Sequence, residues 1–214
     1  MNASVHCTAM PAPATATPEE IRAVNTRYHD GAAAGYDAKW GIDYGDVGGG
    51  QVLGKLRKAL GGEIGRFGRG LEIGAGTGYF ALNLLQAEVV AEAVCTDISP
   101  GMLRTLEANA RRLDLTVETA ACDAEDLPFD DASFDIVFGH AVLHHLPGLD
   151  RAFAEFRRVL RPGGAIAFAG EPSRHGDRIA GVPKRAAVRV SPLWRAAMRA
   201  RPLQPHDAPP KVAE

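Results

Sequence analysis

An α/β fold with a mostly parallel sheet is what this 214-residue sequence predicts, on three observations. Short apolar strand signals alternate with amphipathic helix signals, at intervals that need parallel pairing through helical crossovers. One strand ends in an acid and a glycine-spaced turn, Leu71-Glu72-Ile73-Gly74-Ala75-Gly76-Thr77-Gly78, before a helical run opens at Tyr79. The next strand ends at Asp97, nineteen residues past Gly78, where a βαβ unit places its ribose-binding carboxylate.

In chain order, Met1 to Pro18 is rich in Ala, Thr and Pro, without the basic start or apolar run of a secretory signal, and reads as disordered. The division expected is a leader at 1–20, a folded domain at 21–173 and a basic tail, partly helical or disordered, at 174–214. Helices are expected at Gln51–Leu60, Thr77–Gln86, Pro100–Leu113 and Leu149–Leu160, and strands at Gly70–Ile73, Val89–Thr96, Leu115–Thr119, Phe134–Phe138 and Ala165–Ala169. Ser99 followed by Pro100 is a helix start. Phe153, Phe156 and Leu160 repeat at helical spacing behind Asp150, an acid in the first turn. Past Arg174 no β-rich run stands out; Pro192–Arg201 reads as helix and Pro202–Glu214 as disordered.

Composition narrows the function classes. With 46% apolar and 23% charged residues the chain suits one globular domain, and it holds no membrane-spanning run. Cys7, Cys95 and Cys122 are odd in number and far apart, which argues against a disulfide framework or zinc site and for free thiols in a reducing cytosol, so a cytoplasmic location and no metal are expected. Net charge is −2, divided as +6 from Arg174 onward and −8 before it. That tail lacks dense basic runs and interleaved aromatics, so a solvated surface is expected rather than nucleic-acid or membrane binding.

The glycine loop predicts close backbone approach to a ligand, with N–H groups and a helix dipole facing an anionic or carbonyl-rich group. Asp97 offers two acceptor oxygens to a ribose; capping the next helix is its competing role, which Ser99 already fills. Dinucleotide folds use Gly-x-Gly-x-x-Gly, whereas this chain has Gly-x-Gly-x-Gly.

With Glu72, Gly74, Gly76 and Gly78 the sequence resembles the class I S-adenosylmethionine-dependent methyltransferases, in a type 11-like domain. Three further segments carry the resemblance in family order: Cys122 to Phe129, Phe134 to Leu146, and Arg158 to Phe168 with its Pro162-Gly163-Gly164 turn. The resemblance implies a Rossmann-like three-layer sandwich and S-adenosyl-L-methionine as cofactor. It implies Glu72, Gly74, Ala75, Gly76, Gly78, Asp97, Ile98 and Met102 as cofactor-binding residues, with Asp97 on the ribose, and Asp123 with Ala124 at the adenine. The chain departs from the family pattern where sixth and antiparallel seventh strands normally follow. That predicts a sheet lacking its terminal antiparallel strands, with β-edge self-association into a homo-oligomer as a consequence.

Methyl transfer from a sulfonium releases a neutral thioether, so in-line positioning is the main demand on the protein, and a small-molecule acceptor is expected at the carboxyl ends of the strands. For a hydroxyl or protonated amine a general base helps; His140, directly after the fourth strand, is the candidate, ahead of His144 and His145. Tyr36 and Trp40 stand either in a lid over the cofactor pocket or against outer helices. Glu171 either points into the acceptor site or stands in a solvated turn. A methyltransferase-like binding or regulatory protein without catalysis is the competing reading.

Overall fold

The structure, a computed structural model, describes residues 16–172. Helix α1 (Pro18–Ala32) leads through a 3-10 turn at Ala33–Gly35 into α2 (Tyr36–Trp40) and α3 (Asp46–Leu60). The sheet then alternates with helices: β1 (Phe67–Ile73), α4 (Tyr79–Gln86), β2 (Val90–Asp97), α5 (Pro100–Arg112) and β3 (Glu118–Ala121). The chain crosses without a helix to β4 (Phe134–His140), then takes a 3-10 turn at Leu143–His145, α6 (Leu149–Val159) and β5 (Leu160–Ala169).

The five strands lie in the order β3-β2-β1-β4-β5, every neighbouring pair parallel. Strand order therefore reverses between β1 and β4, which opens a crevice beyond their carboxyl ends. Alternation along β4 shows how the layers form. Ile136 and Phe138 join Val52, Leu56, Phe80, Leu84 and Leu106, so α3, α4 and α5 cover one face. Val137, with Leu71, Ile73 and Val94, joins Ala152, Phe156 and Val159 of α6 on the other. Phe80, Phe138 and Phe156 are fully buried, and truncating any of them to Ala costs about 3–5 kcal/mol.

Boundaries differ from the sequence reading where side chains override pattern. α1 starts at Pro18, inside the expected 1–20 leader, because Thr17 and Glu20 form a capping box around its first turn. α3 starts at Asp46, five residues before the expected Gln51, since Asp43 accepts the N–H groups of Gly45 and Gly48 and nucleates its first turn. β3 sits at 118–121 rather than 115–119. Leu115 and Val117 pack instead against the Tyr44, Leu82 and Ala110 cluster before pairing with β2 begins at Glu118. β5 begins at Leu160 rather than Ala165: Leu160 pairs with Phe134 and Ala165 with Ile136, so the Pro-Gly-Gly turn bulges within the ladder. The expected tail, its helix at Pro192–Arg201 and the question of strands beyond the fifth lie outside the described residues.

Candidate functional site

At the end of β1, Leu71 and Ile73 face α6, so Glu72 faces α4, where it is 1% exposed. Its Oε2 accepts the Ala81 N–H at 3.0 Å and ties the strand to the helix after the loop. Burial raises its pKa well above the ordinary value, against that one hydrogen bond and with help from the nearby Asp97.

Gly74, Gly76 and Gly78 all hold positive φ, at 63°, 54° and 94°. A Cβ on Gly74 would run into Val142, and one on Gly78 would lie 2.8 Å from Leu82 and 2.9 Å from Leu106. A Cβ on Gly76 would meet nothing within 4 Å, so the middle glycine borders open space where a ligand can lie against the backbone. The N–H of Ala75 goes to Thr96 O, that of Gly76 to Asp97 Oδ2 and that of Gly78 to Ala75 O. The end of β2 takes the first two of these donors and the turn itself takes the third, which ties the loop to the neighbouring strand.

Asp97, 9% exposed, accepts the Gly76 N–H at 2.9 Å on one oxygen and the Ser99 N–H at 2.8 Å on the other. Each oxygen keeps a second lone pair, the capacity a ribose diol needs. Burial raises its pKa against those hydrogen bonds and the field of His29. Ser99 caps α5 by accepting the Met102 N–H, which leaves Asp97 out of that role. Met102 is buried in the first turn of α5, and Ile98 is half-buried beside Asp97.

Helix α1 runs across the strand ends and touches the chain after three of them. Beyond β2, Asp30 accepts the Ser99 hydroxyl at 2.6 Å and the Gly101 N–H at 2.8 Å. Beyond β3, Arg22 pairs with Asp123 and, at 3.0 Å, with Glu125. Beyond β4, Asn25 donates to the His145 carbonyl at 3.2 Å. Asp123 also accepts the Glu125 N–H at 3.0 Å, and Ala124 packs into the α6 face of the core. Tyr36 is half-buried near His29 and close enough to Asp97 to feel its charge, whereas Trp40 is 59% exposed. Of the two aromatic residues expected in a lid, only Tyr36 is sheltered.

At the ends of β4 and β5 the chemistry differs. His140 stacks on Phe80 with ring centroids 5.4 Å apart, and its Nε2 lies 3.0 Å from Lys55 Nζ. Burial first, and the Lys55 ammonium second, push its pKa down to about 4, against the pull of Glu171. An imidazole whose lone pair faces an ammonium is a weak proton acceptor, so the expected general base is poorly suited to that work. Glu171 does not stand in a solvated turn: Oε1 accepts the N–H groups of Val142 and Leu143, and Oε2 accepts that of His144 and lies 2.9 Å from His144 Nδ1. Burial opposes its charge, but these hydrogen bonds outweigh it and its pKa falls. It clamps the loop that begins at Ala141, a non-glycine residue at φ 53°. His145 lies edge-on to His29 and is pushed down to about 4, by burial first and then by His144 and His29.

Sequence reading missed Arg22, Asp30, Lys55 and the network in which Tyr44 and Asn109 both bond the Thr77 carbonyl from behind the loop. For α1 a signal existed in the capping box Thr17-Pro18-Glu19-Glu20. For Lys55 and Asp30 none did, since their partners lie 85 and 69 residues away. Among the described residues no helix is long and apolar enough to cross a membrane, and no group of three His, Cys, Asp or Glu could hold a metal ion. Cys95 and Cys122 are free thiols, and burial pushes Cys122 up to about 11.

Residues 71–168 match the family described as Methyltransferase domain. A malonyl-[acyl-carrier protein] O-methyltransferase from Geobacter sulfurreducens is 39% identical over 150 residues, covering 69% of this chain and 52% of that protein. A ubiquinone/menaquinone biosynthesis C-methyltransferase from Ralstonia pickettii is 40% identical over 97 residues, covering 45% of this chain and 40% of that protein. The chain thus spans about half the length, or less, of these curated relatives. Among solved structures, the YcgJ protein from Bacillus subtilis aligns at a TM-score of 0.50 and 30% identity, covering 56% of this chain and 50% of that one.

Proposed function

Because the chain belongs to the class I S-adenosylmethionine-dependent methyltransferase family, we propose that it binds S-adenosylmethionine and transfers the methyl group to a small-molecule acceptor by in-line displacement. The observation that carries this reading is the open space over Gly76 beside the paired but unsaturated oxygens of Asp97.

In this reading Gly74, Ala75, Gly76 and Gly78 shape the floor under the donor, and Asp97 takes both ribose hydroxyls. Glu72 holds α4 against the end of β1 and so fixes the turn. Met102 and Ile98 line the ribose side, while Asp123 and Ala124 meet the adenine. Asp123, paired here with Arg22, would accept from the adenine amino group. Bound there, S-adenosylmethionine supplies a sulfonium methyl whose departure leaves a neutral thioether. The protein's share is to hold the acceptor in line and keep water out, and α1 covers the strand ends where both tasks fall.

A weak base at His140 favours an acceptor that is already nucleophilic. A carboxylate meets that condition at neutral pH, since its ordinary pKa is about 4. The O-methyltransferase named above acts on malonyl-[acyl-carrier protein], and an acceptor with a free carboxylate is the class we propose here. Calorimetry with S-adenosylmethionine and S-adenosylhomocysteine tests donor binding. No heat with either, from protein that is folded by circular dichroism, refutes the reading; a labelled methyl product completes it.

A further inference from the structure

Among the described residues, Lys55 is a half-buried cation whose contacts are all uncharged. Its Nζ lies 3.0 Å from His140 Nε2 and 3.4 Å from the Tyr79 hydroxyl, with the Tyr79 ring centroid 4.8 Å away. Burial lowers its pKa, and among the described residues no carboxylate is near enough to push back. An ammonium drawn out of water without a counter-ion is costly, and an anion from outside the chain would offset that cost.

The neighbouring groups show where such an anion fits. The Tyr79 hydroxyl donates to Gln51 Oε1 at 3.1 Å and accepts from Lys55, so one hydroxyl ties both partners together. Among the described residues nothing accepts from the Gln51 amide N–H₂, and Lys55 retains one N–H beyond His140 and Tyr79. The Tyr79 hydroxyl thus keeps two donor-bearing side chains together, one for each oxygen of a carboxylate, and one ammonium balances one negative charge. His140 ends β4 and Tyr79 opens α4 directly after the glycine loop, so both stand at the carboxyl ends of the strands, where an acceptor is expected.

We propose that Lys55 and Gln51 form the recognition site for a carboxylate on the acceptor. The inference rests on the methyltransferase reading for the word acceptor, but the anion site stands on its own geometry. The donor also carries a carboxylate, and the experiment separates the two.

The test titrates malonate into the full chain, with and without saturating S-adenosylhomocysteine, while NMR follows the His140 ring. A saturable shift is expected in the unsubstituted protein, weakened at least roughly tenfold in Lys55→Met and in Gln51→Met, and kept in Lys55→Arg, which retains the cation. No shift in the unsubstituted protein, or equal titrations in all variants, overturns the proposal. S-adenosylhomocysteine and its decarboxylated analogue are titrated by calorimetry in parallel. If Lys55→Met weakens the first and spares the second, Lys55 holds the donor's carboxylate and the acceptor assignment is overturned. Absence of heat from S-adenosylhomocysteine in the unsubstituted protein, beside an intact malonate response, sinks the methyltransferase reading while leaving the anion site standing.

Discussion

The β1–β2 end of the sheet and the β4–β5 end use carboxylates in opposite ways. At the first, Glu72 and Asp97 are buried and their pKa values rise; each carboxylate accepts backbone N–H groups, and Asp97 keeps lone pairs to spare. At the second, Glu171 is spent on three backbone N–H groups and His144, and its pKa falls. One end keeps acceptor capacity unspent, and the other has its acid committed to shaping a loop. A carboxylate in a crevice is therefore not evidence of catalysis until its hydrogen bonds have been counted.

The largest expected effect falls at the β1–β2 end. Gly78→Ala adds a Cβ against Leu82 and Leu106 at φ 94°, so donor binding should vanish from calorimetry or fall more than roughly a hundredfold. Retained affinity would show that the turn is looser than its packing. Asp97→Asn keeps one acceptor oxygen and loses the charge, and donor affinity should drop by about 10- to 100-fold, as charged hydrogen bonds contribute about 1.5–3 kcal/mol each. An unchanged dissociation constant would remove the ribose role.

At the β4–β5 end the effects are on stability and titration. Glu171→Gln should cost about 1–2 kcal/mol by denaturant unfolding. The charge of Glu171 stabilises the fold above its unfolded pKa, near the ordinary 4.5, and that contribution is lost as pH falls through its lower folded value. The raised pKa of Asp97 acts with the opposite sign, since the folded chain takes up that proton first. Acid should therefore speed amide exchange at Val142, Leu143 and His144 before it does so at Gly76 and Ser99; simultaneous loosening would erase the contrast. Removing the ammonium in Lys55→Met should raise the His140 midpoint above about 4, though burial keeps it below 6.5. The smallest effect is Ala141→Gly, which relieves a positive φ and should raise stability by about 0.5–1 kcal/mol.

The two ends also differ in how far they can be read from residues in a row. Glu72, the glycine turn, Asp97 and the Ser99-Pro100 start sit within 29 residues, and their meaning comes from spacing in a strand-turn-helix unit. The parallel pairing of the sheet followed from the same alternation. His140 drew attention as a histidine after a strand, but its chemistry depends on Lys55, 85 positions earlier. Glu171 meets its partners 27 to 29 positions back. No periodicity encodes such meetings, since they depend on which helices cover which strand ends. β3 was misplaced for a related reason: Leu115 and Val117 look like strand residues and are used as core ahead of the ladder.

Asp30 closes α1 onto α5 by taking two donors from the first turn of the later helix. A shortened chain opening at β1 would keep every residue of the glycine turn and still leave the hydroxyl of Ser99 and the amide of Gly101 without their acceptor. Trimming the protein to its recognisable half would thus fray the shelf beside Asp97 on which the proposed ribose site depends.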